Sequence, residues 1–423
     1  MWLFGFKKRL DHIPISAILR RWTSEYCGHR WGVVEYCMMG ARSYKIPQFI
    51  DRDSAFMSEC LREMCRLWSS HYRFERRENM AKKMISFVAF FAVAFLLGNE
   101  VRAQVPGPLK LSQTIPLPGL KDGDFDHFQE DAAGQRLFLA AEENSIIEVI
   151  DLHSNKLIGK IAGSKAPHSL GYNLELKKLF VVDDGGPNQV EIFDGISFKL
   201  LGTIPMDAHA DVSVYDPESK LFYVGNGGRQ AKEAFTSISV VDTTSDKKVG
   251  DIKIDGDRIE SIRLEENGPR MFVNVYYKGE VAVVDRKKQA VIATWSYAQE
   301  GKNFGSMAVD GPDHRLFVHA RDPGKVLVID SDSGKLITSL PCQGDYDDAI
   351  YDSGTRRLYL IGTPFLKVWQ KSSEGDRYDI LGQVPTAFHS ITGFLVPSLN
   401  RLFIAVNHHG STDAVVQAYD VVP

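Results

Sequence analysis

The chain lacks most of the features that announce a function. Of its five cysteines only Cys342 lies beyond residue 79, so the region after it can form no internal disulfide and must hold together by packing. No stretch beyond residue 104 keeps a long apolar period of 3.6 residues, which excludes helices as its main element. A Gly-rich phosphate loop, a nucleophile elbow and a metalloprotease helix are all missing. Basic runs are missing too. Residues 104–423 hold 33 Lys and Arg against 44 Asp and Glu, a net of −11, and such a charge repels phosphate backbones. Nucleic acid is not an expected partner.

What is present falls into three segments. Residues 1–79 hold four cysteines, four of the six tryptophans and a net charge of +5, a composition foreign to the rest. The spacings Cys27/Cys37 and Cys60/Cys65 match no zinc pattern. Residues 80–103 have the layout of a secretory leader, with Lys82 and Lys83 ahead of an apolar, uncharged stretch from Ile85 to Leu97. Val101-Arg102-Ala103 then supplies small residues where a signal peptidase reads, so cleavage is expected before Gln104. Thirteen residues are too few to span a bilayer, which takes about 20. Export to the periplasm or beyond is the expectation, with no span in the mature protein. A leader belongs at an N-terminus, and Arg76-Arg77 just ahead of Met80 can be encoded by a purine-rich ribosome-binding sequence. Residues 1–79 therefore read as an over-extended reading frame or a disordered extension without assigned function.

Residues 104–423 repeat. A basic residue followed by mostly apolar ones recurs as "RLFLA" at Arg136, "KLFVV" at Lys178, "KLFYV" at Lys220 and "RMFVN" at Arg270. It returns as "RLFVH" at Arg315, "RLYLI" at Arg357 and "RLFIA" at Arg401, at spacings of 42 to 50 residues. A second element follows, ending at Asp151, Asp194, Asp242, Asp285, Asp330 and Asp420, and degrades to "LKVWQ" at Gln370. Both are β-branched and aromatic between turn residues, hence strands. The aspartate begins a tight turn in which its carboxylate accepts from backbone N–H groups ahead. A strand of the "KLITSLP" type from Lys335 comes next, and an alternating strand such as "DVSVYD" from Asp211 precedes each basic residue.

Each repeat is thus a four-stranded antiparallel meander of propeller-blade size. The expected fold is all-β, a seven-bladed β-propeller over residues 104–423. Its last repeat stops after the third strand, and the missing outer strand is "KLSQTIPLPG" from Lys110, so the N-terminal strand should pair with the C-terminal blade and close the ring. The "FYVGN" of residues 222–226, the "VxVID" strands and the Asp-Ser/Thr-x-Lys turns resemble the YVTN-type β-propeller repeat family. That resemblance covers residues 110–423 and implies the fold and, in many members, secretion; it implies no chemistry. The Gly-His and Trp-Asp pairs of WD40 blades are absent, as are the recurrent tryptophan motifs of quinone-dependent dehydrogenase propellers.

Propellers bind ligands where interblade connections converge at a channel mouth. Aligned starts of the innermost strands give Asp126, His168, Asp211, Glu260, Gly305, Asp347 and Ile391, and two residues earlier stand Asp124, Lys165 or Ala166, His209, Arg258, Asn303, Asp345 and His389. Three readings stay open. A wet mouth tolerates polar residues without a task, as a scaffold for an envelope protein would. The mouth binds a small polar ligand, a divalent metal ion or a protein partner, histidines with carboxylates suiting zinc or a similar ion. Or it catalyses, with Arg258 and Glu260 facing His209 and His389 to anchor an anion and move a proton; lactonase-type seven-bladed propellers, a distant resemblance, use groupings of that kind. A monomer is expected. "NHHGS" at residues 407–411 reads as an exposed turn on the same face, "DDGGPN" from Asp183 as a Gly turn, and the loop from Gly225 as a candidate cover for the channel. His319 reads as a satisfied structural histidine, and Cys342 as a thiol kept unreactive by acidic neighbours.

Overall fold

In every repeat the second and third strands are apolar almost throughout and the fourth is apolar on one side, a pattern that buries the middle of a sheet and leaves its outer edge in water. The computed structural model describes residues 36–39, 42–45 and 107–423, and it has that form. Two units separate at Ala103/Gln104. In the first, the described residues make one hairpin, Tyr36–Met39 with Arg42–Lys45. The leader read over residues 80–103, and the rest of the extension over residues 1–79, lie outside the described residues. Among the described residues no helix is long and apolar enough to cross a membrane.

The second unit is a seven-bladed β-propeller of four-stranded antiparallel sheets, and in blades I to VI the strands follow in sequence order from the axis outward. Blade I consists of Phe128–Asp131, Arg136–Ala141, Ile146–Asp151 and Lys156–Ala162. Blades II to VI occupy residues 167–205, 213–254, 262–296, 302–341 and 345–385. Blade VII takes Gly393–Val396, Arg401–Val406 and Val415–Val421 from the C-terminus and Leu109–Pro116 from the N-terminus. Ile115 faces Val416 and Pro116 faces Val415 in this closing pair, so the ring has no free sheet edge at its seam. The expected closure is what the chain does.

There is no single core. Seven apolar clusters form, one in each gap between neighbouring blades. The aromatics two residues after the repeated basic residue, Phe138, Phe180, Phe222, Phe272, Phe317, Tyr359 and Phe403, are all fully buried. They enter six of these clusters, Phe180 and Phe222 sharing one, while Tyr223 is the aromatic of the gap between blades III and IV. Phe222 of blade III lies so close to the backbone of Gly171 in blade II that a Cβ there would approach its ring to 2.5 Å. Truncating such a ring costs about 3–5 kcal/mol in a well-packed core.

The turn aspartates act as expected. Asp151 accepts from the Ser154 N–H at 2.6 Å, Asp242 from Thr244 at 2.8 Å, Asp285 from Lys288 at 2.9 Å and Asp330 from Ser333 at 2.9 Å. These bonds hold the carboxyls below the usual carboxylate range. Four of the repeated basic residues have a task that the sequence did not disclose: they reach the outer turn of the next blade, whereas Arg136 pairs with Asp131 in its own blade and Lys220 with Glu175 of the preceding one. Lys178 of blade II binds Asp246 of blade III at 2.6 Å, and Arg270 of blade IV binds Asp332 of blade V at 2.6 Å. Arg315 of blade V grips Asp376 of blade VI at 2.8 and 2.9 Å, and Arg401 of blade VII reaches Asn155 of blade I at 3.2 Å across the seam. The ring is thus sewn along its outside as well as packed between blades.

Candidate functional site

Chain geometry brings the connections entering each innermost strand to one mouth of the channel. The aligned residues sit at or just before those strands, which begin at Phe128, Pro167, Ser213, Ile262, Lys302, Asp345 and Gly393. His209, Asn303 and His389 occupy left-handed backbone with φ of 58°, 56° and 51°. Such a conformation is uncommon for residues other than glycine, and here it recurs at one structural position.

Blades I to III supply the densest group. His168 Nδ1 lies 2.7 Å from Asp126 Oδ2 and 3.5 Å from Asp211 Oδ1, while its Nε2 lies 3.6 Å from Glu142 Oε1. His209 faces the same aspartate, its Nε2 3.7 Å from Asp211 Oδ2, and turns Nδ1 toward Asp184 at 3.7 Å. Arg258 pairs with Glu260 and stands 3.7 Å from Asp211. Across the channel His127 bridges Asp126 at 3.2 Å and Asp348 at 3.5 Å. At Gly305 the ring has no side chain, and the space is taken from behind: a Cβ there would meet Arg321 Nε at 3.1 Å and His319 Nδ1 at 3.3 Å. Arg321 uses that opening to bond Asp347 at 2.9 Å.

Asp126, His168, His209, Asp211, Arg258, Glu260 and Asp347 therefore share one mouth. His389 belongs to a neighbouring, more open group: its Nδ1 is 2.8 Å from Asp124 and its Nε2 3.3 Å from Asp345. Asn407 donates to the same Asp124 at 2.7 Å, and His408 pairs with Asp122 at 2.5 Å. The "NHHGS" turn thus joins this face, and the expected cooperation of three histidines divides into a pair and a separate member. The loop after Gly225 docks on the blade III–IV connection, where the Arg229 N–H donates to the Asp257 carbonyl at 2.8 Å beside Arg258. Asp183 caps its own loop, accepting from the Lys165, Ala166 and Gly185 N–H groups at 2.8–3.0 Å, and is a turn device.

Burial and crowding set the protonation states. Burial raises Glu142 to about 7, with Asp126 and Asp211 adding to the rise against the pull of His168. Burial likewise lifts Asp347 to about 6 against the pull of His127, and Glu260 rises for the same reason despite Arg258. Burial alone would lower His168, but Asp126, Asp211 and Glu142 outweigh it and bring the imidazole to about 10. His127 rises in the same way through Asp126 and Asp348. The mouth thus stores protons and carries more carboxylates than cations.

Sequence reasoning missed four of these groups. Glu142 lies in the short 3-10 turn Glu142–Asn144 between second and third strands, and its signal was the polar "EEN" of an otherwise minimal loop. Arg321 is carried by a second strand, and the glycine at the aligned position of its own blade was the clue. His127 and Asp348 each follow an aligned acid directly. Two expectations need correction. His319 is buried, yet neither ring nitrogen has a hydrogen-bond partner, and burial, then Arg321, lowers it to about 3. Cys342 is unreactive through burial, which raises the thiol to about 11, rather than through acidic neighbours.

Below the mouth the channel continues as a cavity of about 780 Å³ lined by the first strands of the blades, with Arg263 among its walls. No family model matches the chain, and no curated protein matches it. Solved structures do. Kuenenia stuttgartiensis hydrazine synthase aligns with a TM-score of 0.61 at 16% identity, over 71% of this chain and 98% of that one. A chain of the mitotic checkpoint complex aligns with a TM-score of 0.61 at 13% identity, over 77% and 95%. The Cps50 (Swd1) β-propeller domain of Myceliophteria thermophila aligns with a TM-score of 0.55 at 13% identity, over 74% and 100%. At these identities the likeness is one of fold.

Proposed function

We propose that this is an exported binding protein of the YVTN-type β-propeller kind, which takes a small polar ligand at the acidic mouth of its channel. One observation carries the reading: the aligned positions that differ from blade to blade bring a His–carboxylate–arginine network together, in which burial raises the Glu142 and Glu260 carboxyls to neutral pH or above. Solvating residues spread over a wet rim would not be buried against each other at such cost. Carboxylates outnumber arginines, so the mouth favours a cationic or proton-donating ligand over an anion. Export rests on the leader read over residues 80–103.

The test is thermal melting against a panel of polyamines, amino sugars, small carboxylates, lactones and divalent ions. A ligand bound by the native state raises the melting temperature with its concentration. At least one panel member should do so for the parent and not for Asp211→Asn or Arg258→Ala. If no member shifts the parent, the scaffold reading leads. A second reading, acid–base catalysis, is supported by Glu260, which holds a proton beside Arg258 and Arg321. Turnover of a panel lactone, lost in Glu260→Gln, would establish it.

A further inference from the structure

The mouth holds two kinds of polar group, those whose partners are complete and those whose partners are not. Asp126, Glu142 and His168 each offer one donor atom, and the three atoms lie within 4.8 Å of one another. Beside them is a second, independent observation. The His209 side chain is 10% exposed, its Nε2 is buried without a hydrogen-bond partner, and it faces Asp211, whose other oxygen faces His168. A buried imidazole nitrogen left idle next to a carboxylate costs stability unless something comes to it.

We propose that the mouth between blades I, II and III binds one divalent first-row transition ion, with Asp126, Glu142 and His168 as ligands and His209 and Asp211 completing its shell. This deepens the reading of the mouth as a polar ligand site and rests on it. Bonds of about 2.1 Å hold donors no more than about 4.2 Å apart, so the three close on an ion with shifts of a few tenths of an ångström. Imidazole with carboxylates suits zinc, manganese, iron or nickel; calcium takes oxygen ligands and has no use for two histidines. The 2.7 Å contact between His168 Nδ1 and Asp126 Oδ2 orients the ring beside the carboxylate. Arg258 and Arg321 pair with Asp211, Glu260 and Asp347 rather than with Glu142 or His168, while the His127 imidazole pairs with Asp126 Oδ1 at 3.2 Å.

The experiment uses the full chain, stripped with a chelator and titrated calorimetrically with Zn²⁺, Mn²⁺ and Ca²⁺ separately. The expected result is one saturable site for Zn²⁺ or Mn²⁺ with Ca²⁺ at least about 10-fold weaker. His168→Ala and Glu142→Gln should each weaken the ion by about 10-fold or more, and Co²⁺ should show an absorption band for a low-coordinate site that both variants lose. Glu142 sits half-buried on a short 3-10 turn outside the sheet, and Glu142→Gln keeps its shape, so this variant folds even if the loss of His168 harms the blade. Absence of a saturable site, or binding that both variants leave unchanged, overturns the proposal. If polyamines or amino sugars still raise the melting temperature and Asp211→Asn abolishes that shift, the mouth remains a ligand site and only the metal is refuted.

Discussion

The outer turns and the channel mouth are built from the same repeat, seven times over, and they treat its positions in opposite ways. At the outer turns one residue type recurs with one partner: Asp151, Asp242, Asp285 and Asp330 each hold the backbone N–H groups ahead of them. At the mouth one aligned position holds His168, Asp211, Glu260, Gly305 and Asp347. His168 pairs with Asp126 and Asp211 of neighbouring blades, Asp347 with Arg321 of blade V, Glu260 with Arg258 beside it, and Gly305 leaves the room that Arg321 fills. Where blades I to V need the same bond the repeat is uniform, and where the blades meet around one volume it is not. Uniform positions build the ring, and the varied ones give it an inside with its own chemistry.

The strongest blow to the uniform part is loss of its closing strand. Removal of residues 109–116 leaves the outer edge of Val415–Val421 unpaired, and the protein should melt without cooperativity and self-associate on sizing columns, whereas a monomer that melts like the parent would break the closure. Phe272→Ala comes next, with about 3–5 kcal/mol lost in denaturant unfolding and ligand response at the mouth retained once folded. Asp330→Ala, which removes the bonds from the Ser333 N–H and hydroxyl and from Arg315, should cost about 1–2 kcal/mol and leave the mouth untouched.

The mouth contributes to pH dependence with a definite sign. Glu142 titrates at 4.5 when unfolded and at about 7 when folded, and Asp347 at 3.8 and about 6. Between each pair of values the native state binds more protons than the unfolded one, so stability falls as pH rises through both windows. His168 adds the same sign, its stabilising charge being complete below 6.5 and lost as pH rises toward 10. Unfolding free energy should therefore drop from pH 4.5 to 7, and Glu142→Gln should flatten that slope; a parent whose stability rises over the range contradicts the burial of these carboxyls.

The fold was legible because its signals are local and repeated seven times: the period, the Asp turns and the incomplete last repeat are enough for blade count and closure. The site was legible in part. Alignment of the repeat found Asp126, His168, Asp211 and Glu260, since departures from a pattern are visible once the pattern is known. It missed Arg321, which reaches the channel from a second strand through the gap at Gly305, and Glu142, which comes from a loop. Neither shares a strand position with the others, and only the curvature of the ring brings them near. The split between His209 and His389 was illegible for the same reason: period gives position along a blade and says nothing of distance across the channel.

The central claim is that residues from separate blades form one charge-coupled group, and His168 reports on it directly. Its ring protons can be followed by NMR across pH in chelator-treated protein, with His168→Asn to assign the signal. Bound between Asp126, Asp211 and Glu142, the imidazole should stay charged through neutral pH and titrate near 10. A His168 that titrates near its ordinary 6.5 would mean that the three carboxylates do not converge on it.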